Sequence, residues 1–121
     1  MSDSLLIRRL AAVSGFITVG LGAMGAHGLQ ATISQLEKGP EWWAKAVLYQ
    51  GLHAAVLLAL SASARPSRAA AWCFFAGSAI FSGSLYAMAL GAPRWFGAVT
   101  PLGGLLLLAG WLLLLKRRDG E

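Results

Sequence analysis

Four long uncharged runs, separated by short polar or basic breaks, set the pattern of this chain. No charged residue occurs from Leu10 to Leu36, and Leu10–Leu29 supplies the roughly 20 apolar positions a helix needs to cross a bilayer. Further runs cover Ala46–Ala64, Ala69–Ala92 and 98–115, the last opening near Thr100-Pro101. The connection 30–45 is the one sizeable polar break. In it Ile33 and Leu36 predict a short interfacial helix, Gly39 its end, and Pro40 the first turn of the next helix. Arg65-Pro66-Ser67-Arg68 reads as a tight basic turn, and Gly91-Ala92-Pro93-Arg94-Trp95 closes the third run. The pattern predicts an all-α membrane protein: one domain over residues 1–121, with four transmembrane helices in a compact antiparallel bundle. Ala23 and Gly25 sit where a signal-peptide cleavage site would place small residues. The apolar run is long for a signal core, however, so the first span is read as retained.

Composition sharpens this reading. Of 121 residues, 57% are hydrophobic and only 12% charged, too few to cover the surface of a soluble domain. The net charge of +5 is not gathered into one patch, which argues against a nucleic-acid partner. Arg8, Arg9, Arg65, Arg68, Lys116, Arg117 and Arg118 flank one side of the spans. Lys38, Lys45 and Arg94 flank the other, with Glu37 and Glu41 beside them. The positive-inside rule then puts both termini in the cytoplasm, or in the matrix of a mitochondrion. The expected location is the bacterial inner (plasma) membrane, or the mitochondrial inner membrane in a eukaryote. Trp72 and Trp111 belong at the inner interface on this reading, and Trp42, Trp43 and Trp95 at the outer. Cys73 is alone, so it can form neither an intrachain disulfide nor a cysteine metal cluster.

Association of helices in lipid depends on close packing and polar contacts. Small residues recur at helical spacing: Ala11, Gly15, Thr18, Gly22 and Gly25 in the first span, and Gly51, Ala55, Ala59 and Ser63 in the second. The third span carries Ala79, Gly83, Ala87 and Gly91, and the fourth Gly103, Gly104 and Gly110. Gly15, Gly22, Gly51, Ala55, Gly83, Ala87 and Gly103 are the expected packing positions. Phe74, Phe81, Leu85 and Met88 are expected to face lipid.

The candidate chemistry is a set of polar groups expected near the outer ends of the spans: His27, Tyr49, Gln50, His53, Ser82, Tyr86 and Thr100. Tyr49, Gln50 and His53 share a helix face, so burying one tends to bury all three. One reading is a structural hydrogen-bond network closing the outer end of the bundle. The other is a site around His27 and His53 for a small molecule, a lipid headgroup or a metal, or a proton or ion route. One histidine on each of two spans, with no attachment motif and no second pair, is a weak haem signal, and no cofactor is predicted. No acidic residue lies within any span, and Ser82 and Ser84 have no base at fixed spacing, so no catalytic residue is assigned and an enzyme is not expected. The glycines of GLGAMGAHG follow no strand and are not a dinucleotide fingerprint.

Gly22-Ala23-Met24-Gly25-Ala26-His27-Gly28-Leu29, Tyr49-Gln50 with His53, Ser82-Gly83-Ser84-Leu85-Tyr86 and Thr100-Pro101-Leu102-Gly103-Gly104 occur in this order. Together they resemble the YgdD-like family of small bacterial inner-membrane proteins, a domain of unknown function with mitochondrial relatives. The likeness covers nearly the whole chain. It implies a multi-pass membrane protein without an assigned molecular activity, and it brings no catalytic residues to this sequence. Two functions stay open. One is a structural or accessory subunit in contact with the lipid bilayer and with a membrane-protein complex or a homo-oligomer. The other is a binding or transport module.

Overall fold

The computed structural model describes residues 1–116, whose regular structure is entirely helical. Helix α1 is Asp3–Ala26, α2 the single turn Gln30–Ile33, α3 Gly39–Ser61 and α4 Arg68–Ala89. A 3-10 turn, Arg94–Ala98, leads into α5, Thr100–Leu113. With that turn joined to α5, four helical segments among the described residues are long and apolar enough to cross a membrane. Arg117 and Arg118, assigned above to the basic flank, lie outside the described residues.

The helix ends follow local chemistry. Ser2 Oγ accepts the Leu5 N–H at 3.1 Å and Ser67 Oγ accepts the Ala70 N–H at 3.1 Å, each satisfying a donor that the first turn leaves free. Pro40 and Pro101 occupy the first turns of α3 and α5, where a missing N–H costs nothing. Gly91 has φ 107°, a left-handed conformation that turns the chain out of α4. Helix α3 starts at Gly39 with Pro40 in its first turn, as the sequence predicts, and so takes up part of the polar connection ahead of the apolar run that opens at Ala46. The physical reason is Trp43: it packs inward at 4% exposure beside Ala46, so this segment gains a buried face by becoming helical.

The extensive interfaces are α1 on α3, α3 on α4 and α4 on α5, with a smaller one of α1 on α4. One apolar cluster gathers Ile7, Ala11, Leu57, Ala70, Ala71, Phe74 and Leu107. The other gathers Ile33, Trp43, Ala46, Leu85, Tyr86, Met88 and Ala89. Asp3 and Arg68 pair at 3.4 Å, joining the starts of α1 and α4 beside the first cluster.

Helix α4 corrects the expected faces. Phe74, Leu85 and Met88, expected toward lipid, are 0%, 5% and 5% exposed, and Phe81 is half-buried. Ala79 and Gly83 are exposed, Ala87 is half-buried, and a β-carbon on Gly83 would meet nothing within 4 Å. The cause is position: α4 packs against three other helices, and the space between helices must be filled to solid density by large side chains. Ala55 of α3, another expected packing position, is also exposed.

Close backbone approach occurs instead between α4 and α5. A β-carbon on Gly103 would collide with the Phe81 backbone, and one on Gly77 would lie 2.9 Å from Leu107 N. Between α1 and α3, Gly22 sits 3.5 Å from Val47 Cγ1 and Gly51 3.1 Å from Thr18 Cγ2, both measured from an added β-carbon. Gly15 has open space.

Candidate functional site

The polar residues fall into ties that join helices in pairs. Between α3 and α4, Ser82 Oγ donates to the Ala46 carbonyl at 2.7 Å and the Tyr86 hydroxyl to Gln50 Oε1 at 2.8 Å. Side chains lean toward the N-terminus of their own helix, so Gln50 leans toward Gly39 and Tyr86 toward Arg68. They meet across the interface, with Gln50, Ser82 and Tyr86 all buried. The edge of Trp43 closes over the phenol, ring centroids 4.7 Å apart at 65°.

Trp43 also ties α3 to α1. Its Nε1–H donates to the Leu21 carbonyl at 2.9 Å. That carbonyl lies in a regular helix, so an indole can reach it only where the surrounding helix surface is bare. Gly25, one turn on, provides the opening: a β-carbon there would fall inside the indole.

His53 joins α3 to α5. Trp111 Nε1–H donates to His53 Nε2 at 3.1 Å, and His53 Nδ1 lies 2.7 Å from the Tyr49 carbonyl. An indole nitrogen can only donate, so Nε2 is the acceptor and the neutral ring carries its proton on Nδ1, which donates to Tyr49. Both imidazole nitrogens are therefore engaged. The ring is 3% exposed and packs against Phe74 and Trp111, at centroid distances of 5.7 and 5.9 Å. Tyr49, itself exposed, lies over Phe81 at 4.5 Å. Finally, Ser84 and Thr100 share a hydroxyl–hydroxyl bond between α4 and α5, while Ser84 also donates to the Phe81 carbonyl at 2.9 Å.

His27 does not join this set. It caps α1 through its backbone N–H, which bonds the Ala23 and Met24 carbonyls, and it is exposed. Gly25, two residues before it, touches Trp43, and Trp43 is ten residues from His53 along α3, about 15 Å. The two histidines thus sit at different depths, because α3 runs from Gly39 and carries His53 past its middle. Among the described residues, no three His, Cys, Asp or Glu side chains gather closely enough to hold a metal ion.

Sequence reasoning missed Trp43, Trp111 and Ser84 as tying residues. The first two are placed at the interfacial belts by the sequence, and the third is left out of the polar set. The spacing of Gly25 and Trp43 about the polar break was the available signal for the first tie. Nothing in the sequence marked Trp111 as the partner of His53.

A family model described as "Protein of unknown function (DUF423)" matches residues 21–104. The UPF0382 membrane protein SH2409 of Staphylococcus haemolyticus is 43% identical over 110 residues, covering 88% of this chain and 88% of its own. The UPF0382 inner membrane protein YgdD of Escherichia coli K12 is 43% identical over 111 residues, 87% of this chain and 82% of its own. The UPF0382 membrane protein SSP2132 of Staphylococcus saprophyticus is 41% identical over 109 residues, 87% and 89% of the two chains. No solved structure matches. The residues matched by the family model include Trp43, Gln50, His53, Ser82, Tyr86 and Thr100 but stop before Trp111.

Proposed function

The chain belongs to the DUF423 family of membrane proteins, and from that premise we propose that it is a structural or accessory subunit of the inner membrane. On this reading it packs with a membrane partner or with itself and catalyses no reaction. The observation that carries the reading is His53. It is one of the two histidines around which the sequence allows a ligand site, yet Tyr49 and Trp111 take both its nitrogens. Ser82, Tyr86 and Trp43 are used in the same way, as bonds between helices. Polar groups in hydrocarbon that find partners across helices act as ties. The depth that separates His27 from His53 supports this reading over a binding module built around the pair.

The architecture that goes with this function is a single domain of four antiparallel spans, both termini on the cytoplasmic side. Contacts of Gly25 with Trp43, Gly22 with Val47, and Gly51 with Thr18 run in opposite chain order on α1 and α3, which supports the antiparallel arrangement. The basic flanks support the orientation. Single cysteines on a Cys73→Ser background test both halves of the proposal. Cysteines at Ser34 and Lys116 should be labelled from opposite sides of intact membranes; labelling from one side overturns the topology. Crosslinkers at the lipid-facing positions Phe16 and Leu105 should capture a protein adduct of defined mass from at least one face. Lipid adducts alone, from both positions, would overturn the subunit reading.

A further inference from the structure

An open groove of about 480 Å³ runs between α1 and α3 on the lipid-facing surface. Its floor is made of small residues, among them Ala12, Gly15, Gly51 and Ala55, with Leu58 at one end and Arg8 at its mouth. Helix packing does not fill it: a β-carbon on Gly15 would meet nothing within 4 Å. From Arg8 to Val19 the groove follows eleven residues of α1, about 16 Å, close to the ~15 Å hydrocarbon depth of one leaflet.

The mouth of the groove has a distinct charge. Among the described residues, the one ion pair joins Arg68 to Asp3, so Arg8 has no acidic partner there. Arg9 and Arg65 are exposed at the same end, and Asp3 is the only acid among these groups. A basic cluster at the end of an apolar, leaflet-deep channel is complementary to one kind of molecule: an acyl chain with an anion at its head.

We propose that this groove is a binding site for an anionic glycerophospholipid. The phosphate sits on the Arg8 guanidinium and one acyl chain lies along Gly15 and Gly51. A guanidinium meets phosphate through paired N–H donors, and small residues let a chain lie closer to the helix backbones than it could on a leucine-covered surface. The site is separate from the His53 and Tyr86 ties and does not depend on the subunit role proposed above.

The test is lipid retention after detergent purification, read by native mass spectrometry. Phosphatidylglycerol and phosphatidylcholine of matched chains are supplied in equal amounts. The wild-type protein should retain phosphatidylglycerol over phosphatidylcholine by about fivefold, the ratio that one near-surface cation gives. Arg8→Gln should bring the two lipids to parity, while Arg9→Gln keeps the preference. Gly15→Leu should retain neither lipid and still melt like the wild type in lipid-free detergent, because its side chain enters open space. Ala55→Leu fills the same groove from α3 and serves if Gly15→Leu melts early. Equal retention of both lipids by the wild type overturns the proposal. So does an Arg9→Gln loss as large as that of Arg8→Gln, which would mean diffuse surface charge, or undiminished retention in both filling variants.

Discussion

The α4–α5 and α1–α3 interfaces both contain glycines at helical spacing, and they use them in opposite ways. At α4–α5 the glycines face backbone or a buried ring: Gly103 lies against Phe81, Gly77 against Gly103 and Leu107, and an added β-carbon on Gly110 would lie 2.8 Å from the Phe74 ring. At α1–α3, Gly22 and Gly51 each meet a single side-chain methyl, and Gly15 meets nothing. The first interface is a closed seam. The second is held by the Trp43–Leu21 bond at one end and opens into a groove toward the other. A glycine in a membrane helix marks missing volume, and the neighbouring helix decides whether that volume is a contact or a space.

The largest effect should come from forcing the closed seam. In Gly103→Leu the side chain must displace the Phe81 backbone, which neither helix can yield without separating. Overpacking of this kind costs about 3 kcal/mol. Gly15→Leu makes the same chemical change where nothing stands in the way and should move stability by less than about 0.5 kcal/mol. Unfolding by graded denaturing detergent compares the two. Equal losses would erase the distinction between seam and groove.

A smaller effect is expected at the closed end of the α1–α3 interface. Gly25→Ala places a methyl group where the Trp43 indole lies, so the ring must swing away and give up its bond to the Leu21 carbonyl. The loss should be about 1–2 kcal/mol, from overpacking together with a broken interhelical bond. Trp43→Phe removes the indole nitrogen and half of the ring system. On that background Gly25→Ala should cost almost nothing further. If the two losses simply add in unfolding measurements, Gly25 is not there to admit the indole.

These contrasts show which parts of the molecule were legible in the sequence. The four spans were, because hydrocarbon requires long uncharged helices and the basic breaks delimit them. Gln50, Ser82 and Tyr86 were, because a polar side chain inside a span must find a partner, and they find theirs across α3 and α4. Trp43 and Trp111 were not. A tryptophan at the membrane interface and one donating to a buried acceptor look alike in a sequence, and one helical turn of depth separates them. The pairing of His27 with His53 failed for a related reason: it took His53 for the opening of the second span, whereas α3 runs from Gly39 and carries His53 past its middle. The inward face of α4 was not legible either. Ser82 and Tyr86 turn inward as their polarity requires, but size does not tell which apolar residues accompany them: the small Ala79 and Gly83 face out, and the large Phe74, Leu85 and Met88 face in.

That reversed face sets a nearly silent change beside a costly one, and tests the rotation of the whole helix. Gly83 lies on the outward side of α4 with no atom within 4 Å of an added β-carbon. Gly83→Leu should therefore change stability by less than about 0.5 kcal/mol, since the new side chain extends into lipid and the helix loses an unfavourable glycine. Leu85, two residues away, is 5% exposed in the cluster with Trp43, Ala46, Tyr86 and Met88. Leu85→Ala leaves a cavity there and should cost about 2 kcal/mol, near the low end for such truncations because lipid is as apolar as the core it replaces. Small-residue rows in membrane helices often mediate association, so a strongly destabilised Gly83→Leu beside an unaffected Leu85→Ala is the pattern to watch for in detergent melts. It would mean that α4 turns its small face inward, and that the Ser82–Ala46 and Tyr86–Gln50 bonds, which fix the present rotation of the helix, do not form.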